Sequence, residues 1–176
     1  GWVQAGGLSL LFDAGPDFRQ QALRAGIERV DALFLTHTHY DHIAGIDELR
    51  IFYLHHKKHL PCYLSLESLD DLKKRYSYFF EPIREGASLS ARFDFHLLEG
   101  EVGEVALRGK KVSYFSYAQV GMKVNGFRLG EFAYLTDIRD YPQSLFSHLR
   151  GVRYLALGAL SPEPSKIHFS FEEAIH

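Results

Sequence analysis

The heptad Thr36-His37-Thr38-His39-Tyr40-Asp41-His42 stands directly behind the apolar run Ala32-Leu33-Phe34-Leu35. A short apolar run followed at once by polar residues reads as a buried strand, so the heptad is displayed where that strand ends. Three imidazoles and one carboxylate within six positions form a dense set of metal-ligand atoms. Side chains at alternating positions leaving a strand converge on one locus, so His37 and His39 can share one ion while Asp41 and His42 face a neighbouring one. Nitrogen and oxygen donors without thiolates suit zinc, manganese or iron, and they argue against a purely structural zinc knot. A metal-assisted hydrolase is the leading expectation.

The rest of the chain bounds that reading. With 176 residues, 46% of them hydrophobic, it is long enough to bury a core of its own, and a single domain over 1–176 is expected. A formal net charge of -2 gives no electrostatic footprint for nucleic acid or membrane surfaces. No apolar run approaches the roughly 18 residues of a membrane helix, and no secretory pattern opens the chain, so a cytoplasmic protein is expected. The single cysteine, Cys62, fits a reducing compartment and reads as a buried structural thiol. Gly1-Trp2-Val3 starts in mid-sheet and Glu172 to His176 stops early in a helix, which points to a fragment lacking flanking elements.

Trp2–Gln4 and Leu8–Phe12 flank Ala5-Gly6-Gly7 and predict a hairpin. Asp17 is placed to cap a helix reaching Ala25 and closed by Gly26. After the heptad, Ile43, Ile46, Leu49, Ile51 and Leu54 approximate an apolar stripe on a helix running from about Ile43 to His56. Strands are expected over Leu60–Ser65, Arg92–Leu98, Glu104–Leu107, Val112–Tyr117, Val124–Leu129, Phe132–Leu135 and Val152–Leu157, with a helix over Glu67–Tyr76. Ser170-Phe171-Glu172-Glu173 matches a capping box and starts another helix. Mixed strands and helices, several strands joined as hairpins, indicate an α/β fold of two sheets covered by helices.

His37-x-His39-x-Asp41-His42 resembles the signature of the metallo-β-lactamase superfamily, which implies an αββα four-layer sandwich carrying one or two divalent metals, zinc or manganese foremost. Leu11-Phe12-Asp13-Ala14-Gly15 looks like that family's first motif, in which the aspartate orients a ligand histidine; this gives Asp13 an outer role. Phe132 to Asp137 looks like the fourth motif, so Asp137 would bridge both metals. The resemblance thus assigns His37, His39 and Asp137 to one ion and Asp41, His42 and Asp137 to the other, with Asp41 also counted as catalytic. The stretches Phe12–Gln21, Gly126–Asp137 and Ile167–Ala174 are similar to the subgroup containing the phosphonate-pathway cyclic phosphodiesterase. There the histidine corresponding to His168 lies near the substrate phosphate, which implies a catalytic His168.

Three departures from the pattern stand out. Gln119 falls where the third motif supplies a histidine, and a glutamine carbonyl is a weaker ligand than imidazole. Gly158 stands where related sequences tend to carry aspartate. In the family that this chain resembles, the last ligand histidine follows the helix that here starts at Ser170, and His176 is too early to replace it. His55, His56 and His59 with Lys57 and Lys58 read as a solvated helix end, with a basic rim that helps hold an anionic substrate as the alternative, and His96 and His148 read as structural. Tyr76 to Phe80 reads as packing in preference to base stacking, with one wall of the substrate cleft as a further role. The expected activity is hydrolysis of a small phosphodiester, cyclic ones included, by a metal-activated hydroxide, with a small phosphorylated substrate as partner, nucleic acid and membrane disfavoured and a homodimer allowed. The alternatives are a nucleic-acid phosphodiester or a thioester at the same site, or a binding protein whose site is degraded.

Overall fold

The computed structural model describes residues 1–82 and 89–175. Residue contacts divide the chain into two compact units, Gly1–Leu98 and Glu99–His176. The mixed α/β class is as expected, with one five-stranded sheet in each unit.

In the first unit, β1 (Trp2–Ala5) and β2 (Leu8–Phe12) form the predicted hairpin. Its two-residue turn needs positive φ at both positions, and Gly6 (58°) and Gly7 (81°) supply it. Then come α1 (Phe18–Ala25), β3 (Ala32–Phe34), α2 (Tyr40–Ile43), a 3₁₀ turn over Ile46–Leu49, α3 (Arg50–His56), β4 (Leu60–Leu64), α4 (Leu66–Arg75) and β5 (Phe93–Leu97). The sheet order is β1-β2-β3-β4-β5, and β2 to β5 run parallel. Parallel neighbours end at the same edge, so the segments leaving β2 and β3 emerge side by side, with Phe12 opposite Phe34.

Each face of this sheet has its own packing. Leu11, Leu33, Leu35, Cys62, Leu64 and Phe93 form a core with Phe18, Ile43, Ile46, Leu49, Phe52 and Leu72 from the helices. On the other face a row of rings crosses four strands: Phe12 to Phe34 at 5.6 Å, Phe34 to Tyr63 at 4.8 Å and Tyr63 to His96 at 4.9 Å. Each pair sits in register across its ladder. His96 thus ends an aromatic ladder, paired with Asp94 at 3.0 Å. Tyr76 stacks on Phe79 and Phe80 on Phe95, so the aromatic run is packing.

The continuous helix expected from Ile43 to His56 is not formed. It breaks at Gly45, whose N–H donates to the Ala14 carbonyl (2.8 Å) and leaves the helical ladder. Ile43, Ile46, Leu49 and Phe52 are the buried positions, a spacing of three that suits the intervening 3₁₀ turn, while Ile51 of the expected stripe is exposed. Asp17 precedes α1 but makes no side-chain capping bond, whereas Gly26 closes it in the left-handed conformation as expected. Ser65 caps α4 by accepting from the Ser68 N–H at 3.2 Å.

In the second unit, β6 (Val102–Leu107), β7 (Lys110–Gln119), β8 (Met122–Leu129) and β9 (Phe132–Leu135) form an antiparallel meander; the first three are longer than expected and β9 has the expected bounds. After α5 (Leu145–Leu149), β10 (Tyr154–Leu157) adds in parallel to β9, giving the order β10-β9-β8-β7-β6. Phe115, Tyr117, Val124, Ala133, Leu135, Ile138 and Leu145 form this unit's core. His148 stacks on Phe115 at 5.2 Å, a structural role. A small parallel pair, β11 (Ala159–Ser161) with β12 (Phe169–Ser170), had no counterpart in the sequence reading. The last helix, α6 (Phe171–Ile175), begins where the capping box places it. Ser170 N–H donates to Glu173 Oε2 (2.8 Å) and Glu173 N–H to Ser170 Oγ (3.3 Å). His176 lies outside the described residues.

Candidate metal centre

The first-unit group is assembled by two loops at the carboxyl ends of β2 and β3. Asp13 follows β2 in the left-handed conformation (φ 58°), which aspartate tolerates better than most residues. Backbone bonds knit the loops: Asp13 N–H to Phe34 O (3.0 Å) and Ala14 N–H to His42 O (2.8 Å). The approach is close enough to require glycine at two places. A Cβ on Gly15 would lie 2.4 Å from the Asp41 carbonyl oxygen, and one on Gly45 would lie 2.2 Å from that of Gly15.

The heptad's imidazoles are gathered there. The ring of His37 lies 4.7 Å from that of His39 and 4.2 Å from that of His42, centroid to centroid. His37 and His42 are buried, while His39 and Asp41 reach the surface. His42 Nε2 lies 3.4 Å from Asp41 Oδ2, so the two donors expected to share an ion are adjacent. The other nitrogen of His42, Nδ1, is 2.8 Å from Asp13 Oδ2, and a carboxylate can only accept. His42 therefore carries a proton on Nδ1, which turns Nε2 toward Asp41. Asp13 is itself buried, with its Oδ1 accepting from Thr36 N–H (2.8 Å) and its Oδ2 from the Thr36 hydroxyl (2.8 Å). The donor set fits a divalent ion such as zinc or manganese: imidazole and carboxylate ligands of the kind these ions take, with an imidazole fixed from behind by a buried acid.

The second unit arranges its own expected residues. Asp137 follows β9 in the left-handed conformation (φ 52°) and is buried. Its peptide neighbour is clamped by Tyr117, whose hydroxyl donates to Thr136 O (2.7 Å) and accepts from Thr136 N–H (2.9 Å). Gly158 donates its N–H to Leu135 O and lies close against this turn; a Cβ there would sit 3.1 Å from the Asp137 nitrogen. The glycine of that departure thus serves a tight backbone approach.

His168 Nδ1 stands 3.5 Å from Asp137 Oδ1. The amide nitrogen of Gln119 lies 3.2 and 3.3 Å from the two ring nitrogens of His168, so Gln119, at the end of β7, donates toward that histidine. Its buried carbonyl oxygen has no hydrogen-bond partner among the described residues. Arg139 holds the segment in place by donating to His168 O (3.5 Å) and pairing with Glu173 (2.9 Å). The Ser170 N–H and then Arg139 hold the Glu173 carboxyl below the usual glutamate value. Thr36, Gly45 and Tyr117 escaped the sequence reading; for Gly45, the only available signal was a glycine interrupting an apolar helical pattern.

Comparison with known proteins agrees with this architecture. A family model described as a Beta-lactamase superfamily domain matches residues 9–176. A crystal structure described as a new diphosphatase from the PhnP family has a TM-score of 0.85 and 31% identity, covering 99% of this chain and 65% of that one. An octanoyltransferase of Porphyromonas gingivalis is 31% identical over 179 residues, covering 96% of this chain and 34% of that protein. The short form of human tRNase Z, at 16% identity and a TM-score of 0.70, covers 99% of this chain and 78% of that one, and shares the fold. The chain spans about a third of the curated relative and just under two thirds of the diphosphatase. No helix among the described residues is long and apolar enough to cross a membrane. The chain belongs to the beta-lactamase superfamily domain family, as a metallo-β-lactamase-type member related to the PhnP proteins.

Proposed function

We propose that this chain is the metal-dependent domain of a hydrolase acting on a small phosphodiester, a cyclic one included. The observation that carries the reading is the gathering of His37, His39, Asp41 and His42 at one strand edge, with His42 turned by Asp13 so that its Nε2 faces Asp41. The likeness to a protein described as a diphosphatase, at 31% identity over nearly the whole chain, supports phosphorus as the centre attacked. His37 and His39 would hold one divalent ion, zinc or manganese, and Asp41 and His42 another. By the Phe132–Asp137 sequence pattern, Asp137 would contribute a further carboxylate ligand. Such ions supply Lewis acidity toward a phosphoryl oxygen and lower the pKa of water.

The chain's own groups do the rest. The buried acid Asp13 keeps His42 in its ligating tautomer, so no proton must move when the ion enters. His168, half-buried and steadied by Gln119, would hydrogen-bond a phosphate oxygen or give a proton to the leaving oxygen, a role that the Ile167–Ala174 sequence pattern supports. A near-neutral charge favours a small substrate over a nucleic-acid backbone.

The test is metal quantification on the full-length protein together with a hydrolysis screen over bis(p-nitrophenyl) phosphate, cyclic nucleotides, diphosphates and a thioester. We expect zinc or manganese to bind and phosphodiester turnover to exceed thioester turnover. His37→Ala should lose both metal and activity, whereas His168→Ala should lose activity with metal retained. Absence of metal at saturating zinc and manganese would favour the binding-protein alternative, which Gln119 motivates.

A further inference from the structure

The carboxylate of Asp13 fixes His42, and its hydrogen-bond geometry reaches a second histidine. The hydroxyl of Thr36 lies 2.8 Å from Asp13 Oδ2 and 2.9 Å from His37 Nδ1. A threonine hydroxyl has one proton. Asp13 can only accept, so that proton points to Asp13. The remaining lone pairs of Thr36 Oγ1 face His37 Nδ1, which must then be the donor. The protons run in order from His37 Nδ1–H to Thr36 Oγ1, and from Thr36 Oγ1–H to Asp13 Oδ2, which also receives His42 Nδ1–H.

We propose that Thr36 is a positioning residue that passes the orienting effect of Asp13 on to His37, so that one buried acid sets the tautomer of two imidazoles. Both rings are then held with Nδ1 protonated and Nε2 directed away from the Thr36–Asp13 chain. The geometry suits this role. Thr36 is fully buried, His37 is 1% exposed and Asp13 6%, so bulk water competes little for these bonds. Thr36 is pinned at both ends by the same carboxylate, since its N–H also donates to Asp13 Oδ1. Its β-branched side chain has few rotamers in which to stray. The proposal rests on the metal-centre reading for its purpose, but the tautomer itself belongs to the metal-free protein.

Thr36→Val keeps the shape and removes the hydroxyl; Thr36→Ser keeps the hydroxyl. The first readout is the long-range ¹H–¹⁵N spectrum of the metal-free protein, which distinguishes Nδ1–H from Nε2–H. We expect the wild type and Thr36→Ser to show His37 as Nδ1–H, and Thr36→Val to lose that preference. His42, bonded to Asp13 directly, should keep Nδ1–H in all three, a selectivity that general loosening of the loop would not produce. The second readout is zinc affinity by chelator competition, expected to fall roughly 10- to 100-fold in Thr36→Val and to recover in Thr36→Ser. An unchanged His37 tautomer in Thr36→Val, or loss of both tautomers together, overturns the proposal. If Thr36→Val does not fold, Thr36→Ala read by the same spectrum decides. Failure of the metal reading is separate: it would appear as zinc affinity unaffected by His37→Ala, whatever the tautomers do.

Discussion

Replacing Asp13 with asparagine changes a single atom's hydrogen-bonding character and should disable the site without dismantling the loop. Asparagine tolerates the left-handed backbone at φ 58° as well as aspartate does, so the turn after β2 is kept. The best amide orientation leaves its oxygen where Oδ1 accepts the Thr36 N–H. Its NH₂ then replaces Oδ2, at the point where Thr36 Oγ1 and His42 Nδ1 both now donate. The hydroxyl can rotate only by turning its proton toward His37 Nδ1, so both imidazoles must move their protons to Nε2, which in His42 is the nitrogen facing Asp41. Ligation through Nε2 would then force two donors against each other in a buried place, at about 1–3 kcal/mol. That is roughly 5- to 150-fold in affinity, since about 1.4 kcal/mol is tenfold. Stability should fall by about 1–2 kcal/mol, because charge-assisted bonds become neutral ones while the cost of burying a charge is relieved. Zinc competition titration and urea unfolding measure the two effects separately. Zinc binding within about twofold of wild type, with His42 shown to carry its proton on Nε2, would refute the reasoning.

Four further outcomes are expected. Gly45→Ala should destabilise the protein by about 1–3 kcal/mol in urea unfolding, because its Cβ would lie 2.2 Å from the Gly15 carbonyl oxygen. Val120 is a β-branched residue held at φ 48° in an exposed turn, so Val120→Asn should raise stability by about 1 kcal/mol in the same assay. Cys62 is fully buried and its thiol pKa is pushed up by burial, so it should resist iodoacetamide in the native state and react only as the protein unfolds. Glu173 is depressed by the Ser170 N–H and by Arg139. Its contribution is therefore present above the unfolded-state value of about 4.3 and lost as pH falls through the lower folded-state value. Protection of the Ser170 amide, measured against its intrinsic exchange rate, should fall over that acidic range, and carboxyl NMR should place Glu173 below an ordinary glutamate.

The parts of the fold that the sequence betrays are those decided by neighbours along the chain. The Gly6-Gly7 hairpin and the Ser170–Glu173 capping box depend on a few adjacent residues, and both form as expected. The heptad was legible for the same reason: its donors follow a strand at short spacing. The break at Gly45 was not, because its N–H is drawn to Ala14, thirty-one residues earlier. The role of Thr36 depends on Asp13, twenty-three residues away, and a lone threonine before a histidine carries no mark of it. Gln119 invited comparison with a ligand position, while its amide faces His168 forty-nine residues on.

The parallel pairing of β2 with β3 has a consequence for anyone wishing to transplant this centre. The heptad alone, grafted behind a strand of another protein, would carry its imidazoles without the acid that orders their protons. It would also lack the glycines that let the two loops touch. The smallest portable piece is the segment from Leu8 to Gly45, two strands in fixed register with both of their exits. A designer who copies only the letters of the motif would inherit donors in mixed tautomers and should expect weak, heterogeneous metal uptake.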